Sequence, residues 1–199
     1  MTSTVVLATH NPGKVRELRK ILAEVLQPEQ VVSAGEFDIP DVQETGVTFA
    51  ENALLKARFV AHHTGLVALA DDSGLSVDVL GGAPGVFSAR WAGRHGDDQA
   101  NLELLLAQLV DVPQDKRQAA FVCAAALATP SGWEVVEHGY LKGHLSTQPQ
   151  GDGGFGYDPI FKPLGDDRTA AQLSLAEKNV ISHRGRAFRE LIPHLRKVV

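Results

Sequence analysis

Residues 5–22 constrain this chain more than any other segment. Four β-favouring residues, Val5-Val6-Leu7-Ala8, run into the turn residues Asn11-Pro12-Gly13, and then into Val15, Leu18, Ile21 and Leu22 at helical spacing. A buried strand therefore feeds into a helix that starts near Pro12 or Gly13. The first turn of such a helix presents unbonded N–H groups and the positive end of its dipole just beyond the strand, and Lys14 adds a full charge there. A phosphate suits that place. An ordinary strand-to-helix connection with a solvated lysine fits the same residues, and the segment alone does not decide.

Strand and helix patterns continue downstream. A short strand at 30–34 precedes a polar, acidic loop at 35–47. Thr48 and Glu51 have capping-box spacing, and Phe49, Ala53, Leu54, Ala57 and Val60 or Ala61 form one apolar stripe, so a helix runs to about Thr64-Gly65. The apolar run 66–70 reads as a strand stopped by the turn Asp71-Asp72-Ser73-Gly74, with a second strand alternating over 75–80. A Gly-rich stretch at 81–96 carries Arg90, Trp91 and Arg94; Asp97 or Asp98 then caps a helix that buries Leu102, Leu105, Leu106 and Leu109. Long strands at 119–129 and 133–145 meet at Pro130-Ser131-Gly132, which puts an antiparallel pair in the sheet and makes it mixed. Ser174 and Glu177 form a second capping box. A last helix, over about 184–197, turns Ala187, Phe188, Leu191 and Leu195 inward, and Pro193 should kink it or end it early.

No linker, low-complexity stretch or internal repeat divides the 199 residues, so a single α/β domain over 1–199 is expected. The net charge of −5 argues against a broad nucleic-acid-binding surface, and any ligand of that chemistry should be small. The one cysteine, Cys123, lies in the apolar run 119–128; it can form neither a disulfide nor a Cys-based zinc cluster within the chain, and reads as core. That run is too short to span a membrane, and no charged region followed by an apolar stretch opens the chain. A soluble, cytoplasmic protein with no membrane or nucleic-acid partner is expected.

Three constellations carry chemistry. Asp71 and Asp72 end an apolar strand, where two charges do nothing for stability, and in extended backbone they point to opposite sides. A carboxylate there, with Gly74 to let the backbone turn, is a common way to hold Mg²⁺, which takes hard oxygen ligands and leaves positions for water and phosphate. A plain Asp-Asp-Ser-Gly turn is the alternative. Asp41 and Glu44 in the acidic loop are second ligands or solvated residues, and spacing does not separate these readings. The stretch Gly153-Gly154-Phe155-Gly156-Tyr157-Asp158-Pro159 alternates glycine with aromatics: a base can stack on an aromatic face, while Asp158 accepts hydrogen bonds from ring N–H groups. A glycine-rich bulge with a core-facing Phe155 is the rival. Lys178, Ser182, His183, Arg184 and Arg186 put donors near a turn between two helices, as a ligand site or as surface charge.

Taken in order, T-H-N-P-G-K, E-N-A-L-L-K-A, A-D-D-S-G-L, P-G-V-F-S-A-R, G-F-G-Y-D-P-I-F, A-E-K-N and S-H-R-G-R-A resemble the inosine/xanthosine triphosphate pyrophosphatase family, also called Ham1, from Val5 to about Leu195. The resemblance implies an elongated mixed β-sheet with flanking helices, two lobes around a central nucleotide cleft, and a homodimer. It also implies Mg²⁺-dependent hydrolysis of ITP, dITP and XTP to the monophosphate and pyrophosphate. On matching positions, Thr9, His10, Asn11, Pro12, Gly13 and Lys14 would hold the triphosphate. Asp72 would bind metal and act as base toward water, and Ser73 would touch the substrate. Phe155, Gly156, Tyr157, Asp158, Lys178, His183 and Arg184 would hold the nucleotide and its base. Ile39-Pro40-Asp41 resembles the family's Leu-Pro-Glu, which ranks Asp41 slightly above Glu44 as the second metal carboxylate.

In the mechanism these residues suggest, Mg²⁺ and lysines, with Lys14 and Lys56 as the cations, neutralise the phosphates while water attacks the α-phosphorus. Arg184, with donors and no acceptor, is expected to read the 6-keto oxygen of hypoxanthine or xanthine. A nucleotide-binding regulator without catalysis would have no use for the Asp71-Asp72 centre. A glycoside hydrolase with paired carboxylates would have no use for the basic pocket.

Overall fold

The opening strand and helix form where their residues place them. The computed structural model describes residues 4–40 and 42–199. In chain order the elements are β1 (Val5–Leu7), α1 (Pro12–Leu22), β2 (Val31–Ser33), α2 (Phe49–Thr64), β3 (Val67–Val77), α3 (Asp98–Gln108), β4 (Gln118–Ala128), β5 (Glu134–Leu145), β6 (Phe161–Pro163), α4 (Leu175–Ile181) and α5 (His183–Leu195). They make a mixed α/β fold with a six-stranded sheet in the order β2-β1-β3-β4-β5-β6. β1 runs parallel to both its neighbours, with Val5 opposite Val31 and Val67, and β5 runs antiparallel to β6. β4 and β5 are neighbours joined by a tight turn in which Thr129 N donates to Trp133 O at 2.9 Å, and so short a connection permits only the antiparallel arrangement.

The chain forms two compact units: Met1–Asp72 with Cys123–Gly139 and Arg184–Val199, and Ser73–Val122 with Tyr140–His183. In the first unit, strand alternation splits the core into two clusters. Val5, Leu7, Leu69, Cys123 and Leu127 face α1 and α5, burying Leu18, Leu22, Phe188 and Leu191. Val6, Ala68, Ala70, Ala124 and Ala126 pack instead with Ala53, Ala57 and Ala61 of α2. Apolar residues on both faces are what a continuous apolar strand such as β1 requires. Helix α2 is bounded as its sequence demands, by a Thr48–Glu51 capping box and by Gly65 at φ 67°.

The second unit centres on Leu75, Val77, Leu102, Leu105, Tyr157, Ile160 and Phe161. Asp97 caps α3, accepting from Ala100 N, and Leu106 is only partly buried. The Arg117 guanidinium is buried and satisfied by carbonyls. It donates to Leu109 O at 2.6 Å, Val112 O at 3.0 Å and Ser146 O at 3.3 Å, tying the end of α3 to the strands beneath it.

One expectation changes. Residues 71–74 are not a turn: β3 runs unbroken from Val67 to Val77, Gly74 is absent from the positive-φ glycines, and a 3₁₀ turn at Asp78–Leu80 ends it. The strand continues because both aspartates find cationic or amide partners on their own sides, as described below. Pro193 lies inside α5, which stops two residues later at Leu195, short of residue 197; its missing N–H removes the bond to the carbonyl four residues back, in keeping with an early end. β6 has only three residues, too few for a period-2 pattern to register.

Candidate functional site

In the first unit the loop after β1 is shaped by Asn11. Its side chain accepts from Gly13 N at 2.8 Å and Lys14 N at 3.2 Å, its carbonyl accepts from Val15 N at 3.1 Å, and Pro12 has no N–H. The first-turn donors are thus committed to the cap, which corrects the expectation of free N–H groups. Thr9 Oγ1 accepts from Asn11 N at 3.1 Å, and His10, Asn11, Pro12 and Gly13 are exposed. An anion here would meet the helix dipole, the Lys14 ammonium and loop side chains.

Lys14 reaches back to β3, where its Nζ lies 3.1 Å from Asp71 Oδ2. Arg184 Nε donates to the same oxygen at 3.0 Å, and its Nη1 donates to Glu17 Oε2 at 2.9 Å. Burial pushes the Asp71 carboxyl up, but Lys14 and Arg184, with Lys56 beyond them, outweigh it and hold Asp71 well below the usual carboxylate range. Two acids and two bases make this cluster neutral. Arg184 has its Nε and Nη1 engaged by carboxylates.

The opposite side of β3 carries a different balance. Asp72 Oδ2 accepts from Asn52 Nδ2 at 3.1 Å, and Lys56 Nζ lies 3.7 Å from Asp72 Oδ1 and 2.6 Å from Glu44 Oε1. Asn52 and Lys56 are four residues apart on α2, which puts them on one face. Asn52 is buried and also accepts from Gly46 N at 2.7 Å, fixing the acidic loop to the helix. A Cβ at Gly46 would lie 2.6 Å from Asn52 Oδ1, so that close approach requires glycine. Burial raises Asp72's pKa, Glu44 adds to the rise, and Lys56 and Asn52 only partly counter it. Burial alone would lower Lys56's pKa, yet Asp72 and Glu44 raise it, so the ammonium stays charged.

Among the described residues, two carboxylates against one ammonium leave this side of β3 with a net negative charge. Among the described residues no group of three or more His, Cys, Asp or Glu could enclose a metal ion. A two-carboxylate site fits Mg²⁺, which keeps several waters and binds substrate phosphates. Asp41 lies outside the described residues. Glu44, ranked below it on the sequence, is the acidic-loop residue that converges with Asp72 on Lys56.

In the second unit Phe155 is 70% exposed, so the core-facing alternative is excluded, while Tyr157 is the aromatic that enters the core. Tyr157 donates to Ser88 O at 2.9 Å, and burial, with Asp98 nearby, raises its phenol pKa. Asp158 is buried; its Oδ2 accepts from Phe155 N at 2.9 Å and pairs with Lys178, whose Nζ stands 4.8 Å from the Phe155 ring centroid. Gly154 has φ 75° and its missing Cβ would strike the Asp158 carboxylate, so both conformation and space demand glycine. Gly156 N donates to Asp98 Oδ2 at 2.8 Å. His183 stacks on Phe121, with centroids 5.3 Å apart and planes at 15°. Ser73 is half-buried, one residue beyond Asp72 on β3.

Of the residues singled out in the sequence, the structure pairs Lys14 with Asp71, Lys56 with Asp72, and Lys178 with Asp158 and the Phe155 ring. Sequence reasoning did not anticipate Asn52, Glu17 or Asp98 as partners in the site. Asn52 had a signal, its spacing from Lys56; Glu17 read as an ordinary helix residue and Asp98 as a candidate helix cap.

The Ham1 family pattern matches residues 5–194. A Streptomyces coelicolor protein named dITP/XTP pyrophosphatase is 62% identical over 196 residues, covering 98% of each chain. One of the same name from Mycobacterium tuberculosis is 54% identical over 200 residues, covering 100% of this chain and 98% of its own. Among solved structures, a Coxiella burnetii HAM1 protein superposes with a TM-score of 0.90 at 41% identity, over 98% of this chain and 100% of its own. The Mycobacterium abscessus nucleoside-triphosphatase / dITP/XTP pyrophosphatase gives 0.81 at 52% identity, over 96% and 99%.

Proposed function

The chain belongs to the Ham1 family, and from that premise we propose that it is a nucleoside triphosphate pyrophosphatase. It hydrolyses ITP, dITP and XTP, with Mg²⁺, to the monophosphate and pyrophosphate, cleansing the nucleotide pool as a cytoplasmic homodimer. The observation that carries this reading is the contrast across β3, a neutral cluster around Asp71 and a negative one around Asp72. The relatives' names support the substrate class.

In this reading the loop from Thr9 to Lys14 holds the phosphates through the side chains of Thr9, His10, Asn11 and Lys14, with Pro12 and Gly13 shaping the turn. Arg184, linked to Lys14 through Asp71, serves that end. Asp72 and Glu44 hold the metal, a choice supported by their convergence on Lys56. When bound, Mg²⁺ supplies a counter-charge for the phosphates and lowers the pKa of water. Asn52 and Lys56 orient Asp72, whose raised pKa moves it toward the range a general base needs, and it takes the proton from the water that attacks the α-phosphorus. The bond to the bridging oxygen breaks and pyrophosphate leaves. Ser73 contacts substrate, and Phe155 to Asp158 with Lys178 and His183 receive the nucleoside.

Incubation of dITP with Mg²⁺ should yield dIMP and pyrophosphate in one step. Orthophosphate with dIDP as the first products would overturn the reading.

A further inference from the structure

We propose that Asp98 is a positioning residue for the Phe155 platform: its carboxylate holds the Gly156 N–H and so fixes the exposed ring that a purine base stacks on. This rests on the reading of Phe155 as part of the nucleoside site.

Three consecutive residues of the loop are tethered to three different places. Phe155 N donates to Asp158 Oδ2 at 2.9 Å, Gly156 N to Asp98 Oδ2 at 2.8 Å, and Tyr157 Oη to Ser88 O at 2.9 Å. A ring that is 70% exposed has little packing of its own to hold it, so these bonds set where it stands. Asp158 and Tyr157 are buried and also belong to the unit's core or to the Lys178 pair, so their removal would disturb more than the ring. Asp98 is exposed, and its bond is the one that ties the loop to the N-terminal turn of α3. The helix does not depend on it for its cap, because Asp97 accepts from Ala100 N at 3.2 Å. Asp98 also stands in the wall of a cavity of about 190 Å³ that Gln99, Leu102, Gly153, Phe155 and Pro159 help to line. A charged acceptor on an N–H makes a stronger bond than a neutral one, and a platform fixed before the ligand arrives lowers the ordering cost of binding.

The effect should therefore fall on KM. Asp98→Ala is expected to raise KM for dITP about fivefold, the worth of one hydrogen bond, with kcat changed by less than about twofold. Asp98→Asn, which keeps an acceptor oxygen, should recover most of the loss, and the Gly156 amide should exchange its hydrogen faster in the alanine variant than in the asparagine one. In a Phe155→Ala background, where the ring is gone, Asp98→Ala should raise KM no further; a merely structural role would persist there. A normal KM for Asp98→Ala, an asparagine variant no better than alanine, or an undiminished effect in the double variant would each overturn the inference. If Phe155→Ala itself leaves KM for dITP unchanged, the platform reading fails. If Phe155→Ala raises KM and Asp98→Ala does not, only the role of Asp98 fails.

Discussion

Replacing two neighbouring aspartates by asparagine should produce opposite defects. Asp71 is 4% exposed and is shared by Lys14 and Arg184, at 3.1 and 3.0 Å. Asp71→Asn keeps the shape and removes the charge, leaving Arg184, whose side chain is 12% exposed, with Glu17 across a 2.9 Å contact. Removing one member of a buried pair costs about 3–5 kcal/mol. Lys14 is 28% exposed and can rehydrate, so the low end applies, about 3 kcal/mol. For a chain of this length that lowers Tm by roughly 6–12 °C. Asp72→Asn acts on a centre that already holds an excess carboxylate, and Lys56 keeps its 2.6 Å contact with Glu44. Its cost should stay under about 1 kcal/mol, roughly 2–4 °C, while turnover falls at least ~10²-fold through loss of the general base. Scanning calorimetry beside pyrophosphate release from dITP reads both quantities. An Asp71→Asn protein melting within about 2 °C of the parent, or an Asp72→Asn protein with near-normal turnover, would refute the division of labour.

Further expectations follow from the same geometry. Glu44→Gln should raise the Mg²⁺ concentration for half-maximal activity by about 10-fold or more, and Asp41→Asn should not; the reverse result would return Asp41 to the metal. Arg184→Ala should lower turnover of dITP and dATP by similar factors and lower Tm, whereas a loss confined to dITP in steady-state kinetics would put Arg184 at the base. Arg117→Met strands the carbonyls of Leu109, Val112 and Ser146, and should cost about 2–4 kcal/mol in chemical denaturation, with a parent-like midpoint counting against it.

The parts of the fold legible in the sequence were those with a local cause. Thr48 and Ser174 each announce a helix by residue type and spacing, as does the pair Asp97-Asp98; Thr48, Ser174 and Asp97 are found capping one, and so is Asn11, which reads in the sequence as a turn residue. The Pro130-Ser131-Gly132 turn announces the β4–β5 hairpin in the same way, with Gly132 at φ 91°. What stayed hidden depends on partners remote in sequence. Asp71-Asp72-Ser73-Gly74 has turn chemistry, and only Lys14, Arg184, Asn52 and Lys56, up to 113 residues away, make an extended backbone tolerable there. For the same reason the neighbours His183 and Arg184 read as one cluster, yet His183 stacks on Phe121 while Arg184 grips Asp71 and Glu17.

The unbroken course of β3 explains why two adjacent identical residues differ so much. In a turn, Asp71 and Asp72 would share one solvated region and repel each other. In a strand, successive side chains leave on opposite faces, so each makes its direct contacts with different side chains, although the Lys56 charge acts on both. Asp71 meets two cations, which overcome its burial and lower its pKa; Asp72 meets one cation already engaged by Glu44, and burial raises its pKa. The first group is therefore locked in its ionised form as a brace for Lys14 and Arg184. The second keeps an affinity for protons and for added positive charge, which is consistent with the role proposed for it as a base beside a divalent cation. Exchanging the partners rather than the aspartates should carry the roles with them: Lys56→Met would remove the ammonium that counters the rise at Asp72, raising the proton affinity of Asp72 further and shifting the activity profile toward higher pH. A Lys56→Met enzyme with an unshifted profile would show that Lys56 does not control the ionisation of Asp72.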